Sequence, residues 1–166
     1  MKRILSIISI TIAVGFITIA LAQQHKAANF SLKAADGTSY ELTKYKGKIV
    51  IVNFWATWCG PCRKEIPDFI EAYKKYKSKG VEIIGISVDQ DGWTKVTPFV
   101  KKSSINCPIV LSDQQVVENY GGINAIPTTF IIDRLGNIVD QHTGTMTLKE
   151  LESKLKPLLK TPAGTL

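Results

Sequence analysis

Two mostly apolar runs, with an amphipathic segment between them, dominate the hydrophobic pattern in the first half of the chain. Residues 48–56, KIVIVNFWA, and residues 81–89, VEIIGISVD, are rich in β-branched side chains, which indicates strands buried on both faces. Between them, residues 61–79 place apolar side chains at helical spacing, and Gly80 stands where such a helix would end. This stretch therefore predicts a strand, a helix and a second strand.

Two further segments alternate between apolar and polar positions around turn residues, as β-hairpins do. In residues 30–42 the alternation surrounds Asp36 and Gly37, a favourable hairpin turn. Residues 126–133 and 137–145 are separated by the turn RLGN, so we expect them to be antiparallel neighbours.

The remaining segments predict helices and one extended piece. Residues 93–104 indicate a short helix interrupted by Pro98. Residues 107–113 indicate an extended piece, and residues 114–122 indicate a helical turn. Residues 147–159 form an amphipathic pattern that begins with a threonine able to cap a helix. The order of elements predicts an α/β domain in which helices flank a mixed central sheet on both faces.

The first 22 residues have the pattern of an export signal. Lys2 and Arg3 precede an uncharged apolar run of 19 residues from Ile4 to Ala22. The triplet Ala20-Leu21-Ala22 is typical of a cleavage site, whereas the length approaches the roughly 20 residues of a membrane span. A cleaved signal peptide and a retained anchor therefore both stay open, and either places the folded domain outside the cytoplasm.

The composition bounds the size of that folded part. With 166 residues, 45% of them hydrophobic and 21% charged, the chain has the make-up of one globular domain. No internal repeat or second domain is evident in the sequence. The expected organisation is a signal or anchor at 1–22, a linker at 23–29, a domain at 30–160 and a flexible tail at 161–166.

The charge balance is basic but does not by itself indicate a partner. The formal net charge is +7, and removing Lys2 and Arg3 leaves +5. Most other basic residues are interleaved with acidic and apolar ones, which is typical of solvated helix faces. Attraction to an acidic partner or to anionic lipid is the alternative, and we expect no nucleic-acid partner.

Two of the three cysteines form a Cys-Gly-Pro-Cys sequence at the predicted junction of strand and helix. A Cys-x-x-Cys ring closes almost no loop and stabilises little, so Cys59 and Cys62 indicate chemistry rather than a structural staple. The positive end of the helix favours a thiolate at Cys59, and Cys62 lies one turn further on. We therefore expect Cys59 as the exposed nucleophile and Cys62 as the shielded resolving thiol. Pro61 suits an early helical position, and Gly60 is expected to permit the tight entry into the helix.

The sequence around these cysteines resembles the thioredoxin active site, and as a whole it is similar to the exported TlpA/ResA branch of the thioredoxin superfamily. The resemblance rests on NFWATWCGPCRKEIP, GVEIIGISVD, IPTTFIID and GTMT, and it covers roughly residues 28–160. It implies a thioredoxin-like fold with an N-terminal β-hairpin and a central helical insertion. It also implies a thiol-disulfide oxidoreductase, and the Gly-Pro dipeptide found in thioredoxin favours a reductase of protein disulfides. No cofactor besides the redox-active disulfide is expected.

The resemblance also assigns the proline of IPTTF to a site opposite the cysteines. From the residues alone, Pro127 would be an ordinary trans proline, although X-Pro bonds are the only ones that adopt cis at low cost. The family implies a cis bond here, which leaves the backbone of Ile126 free to pair with an extended substrate segment. Trp58, Gly60 and Pro61 complete the expected substrate-binding residues.

A third catalytic residue is expected on the helix. Glu65 follows Cys62 by three positions, and the resemblance implies that a glutamate there influences the protonation of the cysteines. Burial would raise its pKa and allow proton exchange with the thiols. The alternative is a solvated carboxylate paired with Arg63 or Lys64. Asn53 stands where thioredoxins have a buried aspartate, which makes Glu65 the more plausible proton donor.

Other chemistries using the same cysteines stay open. The pair could serve as an oxidase or isomerase, or as a copper-binding module, although we expect no metal because no second Cys-x-x-Cys is present. A peroxidase would need threonine at position 56, where Ala56 stands. Cys107 is expected to be a small buried hydrophobic residue.

The partners follow from the resemblance alone. It implies that the substrate is a disulfide of an exported protein, with that of apocytochrome c during cytochrome c maturation as one candidate. It also implies a membrane thiol-disulfide carrier of the CcdA or DsbD kind as the electron donor.

Overall fold

The computed structural model describes residues 25–160, in which five strands form one central sheet and two form a separate hairpin. The strands in chain order are β1 Ser31–Lys33, β2 Ser39–Glu41, β3 Ile49–Trp55, β4 Val81–Ser87, β5 Ile109–Leu111, β6 Thr128–Ile132 and β7 Ile138–Thr143. The sheet order is β5-β4-β3-β6-β7. Strand β3 runs parallel to β4 and antiparallel to β6, so the sheet is mixed.

Four α-helices connect and cover these strands within the described residues. They are α1 Gly60–Tyr76, α2 Trp93–Lys102, α3 Gln114–Asn119 and α4 Leu148–Lys160. The predicted threonine cap of α4 is present, because Thr147 Oγ1 accepts the Glu150 amide while the Glu150 carboxylate accepts the Thr147 amide. The thioredoxin-like architecture expected from the sequence, with hairpin and helical insertion, is confirmed.

Every residue of β3 and β4 is buried because layers cover both faces of the sheet. On one face, Ile49 and Ile51 pack with α1 and α4 in a core that includes Phe69 and Leu151. On the other face, Val50, Val52 and Phe54 pack with the hairpin and α3. The sheet thereby holds the end of β3, where the cysteines follow, in a fixed position.

Helix α2 differs from its prediction. The sequence indicates an interruption at Pro98, yet the helix runs through it from Trp93 to Lys102. Pro98 has no N–H to donate a hydrogen bond to the Thr94 carbonyl, and Thr94 is exposed to solvent, which reduces the energetic cost. Helix α1 likewise continues through Pro67 and ends at Tyr76, before a 3₁₀ turn.

The folded part begins before residue 30, within the predicted linker. Lys26 forms a β-bridge with Asn137, and the Ala27 amide donates to Gly136. The predicted signal or anchor at 1–22 and the tail at 161–166 lie outside the described residues. Among residues 25–160 there is no helix long and apolar enough to cross a membrane.

Candidate active site

Cys59 lies between the end of β3 and the first turn of α1, and it is joined to Cys62 by a disulfide bond. Cys59 is the N-cap residue of the helix and has extended backbone angles. Its residue surface is 5% exposed, whereas that of Cys62 is 0%. The expected order of exposure therefore holds, but the disulfide presents only a narrow edge to solvent.

The first turn of α1 points a backbone donor at the Cys59 sulfur. The Cys62 amide donates to Cys59 Sγ over 3.1 Å. Together with the positive end of the helix, this hydrogen bond favours a negative charge on that sulfur once the disulfide is opened. The geometry therefore supports Cys59 as the thiolate that attacks and Cys62 as the thiol that resolves.

A buried carboxylate at the end of β4 positions the loop that carries Cys59. Asp89, 8% exposed, accepts hydrogen bonds from the amide and hydroxyl of Thr57 over 2.9 and 2.5 Å, and from the Ser87 hydroxyl over 2.7 Å. Asp89 belongs to none of the motifs that the sequence predicts to be functional. The available signal was an acidic residue at the carboxyl end of a predicted buried strand, where open α/β sheets place functional groups.

The Ile126–Pro127 peptide bond is cis, as the family resemblance predicts. The carbonyl oxygen of Ile126 lies 3.7 Å from Cys59 Sγ, so this segment faces the disulfide. The Pro127 carbonyl accepts the Gly144 amide, whereas within the described residues no backbone hydrogen bond engages the amide or carbonyl of Ile126. The backbone of Ile126 is thus available for an extended partner.

Trp58 and Gly60 form an exposed rim beside the cysteines. The Trp58 side chain is 68% exposed, and Gly60 and Pro61 are exposed as well. The reason expected for Gly60 is wrong, because its φ is not positive and an added Cβ would meet nothing within 4 Å. Position 60 can therefore hold a residue with a side chain, and glycine there leaves open space at the surface.

Glu65 lies inside the protein, 1% exposed, on the same helix as the cysteines. Its Oε1 accepts the Asn53 side-chain amide and its Oε2 accepts the Met146 backbone amide, each over 2.9 Å. Neither donor carries a charge, and burial raises the pKa of Glu65 to about 7 despite these hydrogen bonds. The alternative of a solvated carboxylate paired with Arg63 or Lys64 is therefore wrong.

A small cavity of about 30 Å³ lies between the sheet and the helices beside Glu65. Asn53, Glu65 and Cys107 are among its lining residues. Cys107 is half-buried overall, and burial of its thiol raises the pKa to about 12. It therefore stays protonated at neutral pH, which agrees with a packing residue rather than a third redox thiol.

No group of three or more His, Cys, Asp or Glu side chains in the described part of the chain is arranged to hold a metal ion. Both site thiols are joined in the disulfide, so neither is a thiolate ligand in this state. The arrangement can instead exchange one disulfide for another, with a proton-exchanging carboxyl group nearby.

Comparison with known proteins agrees with this chemistry. The profile of the AhpC/TSA family matches residues 23–141. The thiol-disulfide oxidoreductase ResA of Bacillus subtilis (strain 168) is 42% identical over 129 residues, which cover 77% of this chain and 71% of that protein. ResA of Bacillus anthracis is 40% identical over 133 residues, which cover 80% and 76% respectively.

Solved structures agree as well. A thiol:disulfide interchange protein of the thioredoxin family from Chlorobium tepidum TLS superimposes with a TM-score of 0.78 and 34% identity, covering 84% of this chain and 99% of that one. StoA from Bacillus subtilis gives a TM-score of 0.67 and 31% identity, covering 76% and 96%.

Proposed function

The chain belongs to the AhpC/TSA family of thioredoxin-like proteins and is a thiol-disulfide oxidoreductase, and from this premise we propose that it reduces disulfides of exported proteins. The reducing direction rests on the Gly60-Pro61 dipeptide, which thioredoxin shares. The exchange chemistry rests on the first turn of α1, where the Cys62 amide is directed at the Cys59 sulfur. That arrangement favours a Cys59 thiolate, the species that attacks a disulfide.

The reaction proceeds in two exchanges. The Cys59 thiolate attacks one sulfur of the substrate disulfide, forming a mixed disulfide and releasing the other substrate sulfur as a thiolate. Cys62 then loses its proton and attacks Cys59 Sγ, which forms the Cys59–Cys62 disulfide and releases the second substrate thiolate. Two electrons pass to the substrate, and both released thiolates take up protons. An external dithiol regenerates the reduced protein by the reverse sequence.

Glu65 supports these exchanges as a proton donor and acceptor. A carboxyl group with a pKa of about 7 is present in both protonation states at neutral pH. It lies one turn after Cys62, so it is placed to take the proton when that thiol attacks and to return it when the disulfide is reduced. Asn53 holds the carboxyl group in position without neutralising it.

The substrate binds across the cysteines as an extended segment. The free backbone groups of Ile126 beside cis-Pro127 offer the hydrogen bonds of an added strand. The exposed indole of Trp58 on the rim offers an apolar contact, and Gly60 and Pro61 leave the approach to Cys59 open.

The location and partners extend this proposal. The basic-then-apolar segment at 1–22 supports a domain outside the cytoplasm, in the periplasm or at the outer face of the membrane. Following the family resemblance of the sequence, we include apocytochrome c in cytochrome c maturation among the proposed substrates. A membrane thiol-disulfide carrier of the CcdA or DsbD kind would supply electrons.

The reduction potential of the Cys59–Cys62 couple tests the direction of the reaction. The full chain is equilibrated in glutathione and dithiothreitol buffers, and the fraction of disulfide is measured. We expect a value at or below about −250 mV, near that of thioredoxin, which shares the Gly-Pro dipeptide. A value near about −120 mV would instead make the protein an oxidase and overturn the proposed direction.

A further inference from the structure

A groove of about 980 Å³ runs between α1 and α2 and starts beside the active site. One end is lined by Thr57, two residues before Cys59, and by Arg63, whose amide donates to the Cys59 carbonyl over 3.1 Å. We call it the basic groove and define it by Thr57, Arg63, Lys74, Lys95, Phe99 and Lys102. The sequence predicts solvated helix faces for most basic residues and leaves attraction to an acidic partner as the alternative.

The basic groove carries an excess of positive charge. Four cationic side chains line it, and Glu71 is the one acidic residue among its lining residues. Within residues 25–160, no ion pair involves any of these four cations. In contrast, four other lysines are paired with carboxylates: Lys44, Lys48, Lys75 and Lys154. The groove therefore carries a local positive potential available to a ligand.

The floor of the groove is apolar. Ile66 and Ile70 from α1 and Phe99 from α2 line it, and each remains partly exposed. The Arg63 guanidinium lies 5.8 Å from the centre of the Phe99 ring, a cation–π contact that joins the two helices at this end. A ligand that fits must combine negative charge with apolar side chains.

The position of the groove favours a polypeptide over other anions. Any partner that reacts with Cys59 brings a cysteine to the end where the groove starts, and its chain must continue over the surface. The lining helix α2 has 10 residues and thus spans about 15 Å, the length of roughly four or five extended residues. A lipid surface is flat on this scale and does not enter a groove between two helices.

We propose that the basic groove binds a short acidic and partly apolar segment next to the cysteine of the protein that exchanges disulfides with Cys59. The proposal rests on the proposed function and adds a substrate class to it. Cys59 and Ile126 hold the reacting segment, and the groove selects the sequence that flanks it.

The test compares three peptides that contain the same internal disulfide. In each peptide, five residues flank the disulfide on both sides, and leucine alternates with one other residue. That residue is aspartate in the acidic peptide, serine in the neutral one and lysine in the basic one. The pre-reduced full chain is mixed with each peptide, and the single-turnover rate of peptide reduction is measured at low and high salt. We expect the acidic peptide to react about tenfold faster than the basic one at low salt, with the ratio falling as salt is added.

Matched variants separate the groove from the overall positive charge. Lys95→Glu with Lys102→Glu reverses two charges in the groove, and Lys33→Glu with Lys149→Glu makes the same change in net charge at exposed positions on β1 and α4. We expect only the groove variant to lose or invert the acidic preference. An equal loss in both variants, or no preference in the wild type, overturns the proposal.

A second readout keeps this inference separate from the proposed function. Fluorescence anisotropy measures binding of cysteine-free versions of the peptides to the oxidised protein, where no exchange can occur. If no peptide is reduced but the acidic one binds in a groove-dependent way, the proposed function fails and the groove remains an acidic-peptide site. If anionic vesicles, rather than peptides, bind in a groove-dependent way, the groove faces a lipid surface and the proposal is overturned.

Discussion

The side-chain amide of Asn53 donates to Glu65 Oε1 over 2.9 Å, which joins the centre of the sheet to the helix that carries the cysteines. The same amide nitrogen also donates to Thr129 Oγ1 on β6 over 3.0 Å, so one acceptor on the helix and one on a strand fix its orientation. A neutral donor at this point holds the carboxyl group without a counter-charge. The pKa of Glu65 is therefore raised to about 7 by burial, within the range where the protein would operate.

Glu65 should make the stability of the protein depend on pH. Its folded-state pKa of about 7 exceeds the ordinary value of 4.5, so the folded state binds this proton more tightly than the unfolded state does. The stabilisation is fully present below pH 4.5 and is lost as the pH rises to about 7, a change of about 3 kcal/mol. Urea unfolding of wild type and Glu65→Gln across this range should show the fall only in the wild type. If the free energy of unfolding changed with pH in the same way in both proteins, this prediction would be contradicted.

The same carboxyl group should control the rate at which the disulfide is opened. When dithiothreitol attacks Cys59, the S–S bond breaks and Cys62 leaves as a thiolate, to which protonated Glu65 can donate its proton. After correction for the thiolate fraction of the reagent, the rate should fall as the pH rises through about 7. Glu65→Gln should lack this inflection, whereas Glu71→Gln, an exposed change on the same helix, should retain it.

Removal of the resolving thiol should trap the substrate. Cys62→Ser keeps Cys59 at the helix N-terminus but cannot break a mixed disulfide, so a covalent complex with a disulfide peptide should accumulate. Mass spectrometry under non-reducing conditions measures it. Cys107→Ala should form no such complex and should turn over normally, since both site cysteines remain. A trapped complex in Cys59→Ser instead would reverse the assigned roles.

Asp89 should act as a positioning residue for the loop that carries Cys59. Asparagine at this position offers one acceptor oxygen in place of two, which leaves at least one donor of Thr57 or Ser87 without its partner. Asp89→Asn should lower the free energy of unfolding by about 1–3 kcal/mol and slow the reaction with a small neutral disulfide. Asp91→Asn, an exposed change nearby, should alter neither quantity.

Substitution by alanine should have different effects on stability at two glycines. A Cβ on Gly85 would lie 2.5 Å from Ile109 Cδ1 and 3.0 Å from Trp55 Nε1, so Gly85→Ala should cost about 1–3 kcal/mol of stability. Gly60 has open space and no positive φ, so Gly60→Ala should leave stability unchanged or raise it by up to about 1 kcal/mol. Thermal unfolding of both variants measures the contrast, and an equal loss would contradict it.

The peroxidase alternative has its own measurement. The reduced protein is mixed with hydrogen peroxide and with an organic hydroperoxide, and oxidation of its thiols is followed over time. Because Ala56 stands where that chemistry needs threonine, we expect no turnover beyond that of a free thiol. Rapid catalytic consumption of hydroperoxide would support the peroxidase alternative.

Local patterns were sufficient for most of the fold and for the two cysteines. The buried strands β3 and β4, the hairpin turn at Asp36 and Gly37, and the helix after Cys59 each depend on neighbouring residues, whose periodicity and turn preference are visible in sequence. The passage of α2 through Pro98 was not predictable in this way, because its cost depends on whether the unpaired carbonyl lies near solvent.

The sequence by itself determined the reaction centre of this protein, because a Cys-x-x-Cys at a helix N-terminus carries its chemistry in adjacent residues. Only the tertiary structure decided what surrounds that centre. It brought Met146 to Glu65 across 81 positions, placed Ile126 against Cys59 across 67, and set the cations of two separate helices along one groove. Burial, and with it the pKa of a carboxyl group, depends on contacts between residues distant in sequence, which no local pattern contains.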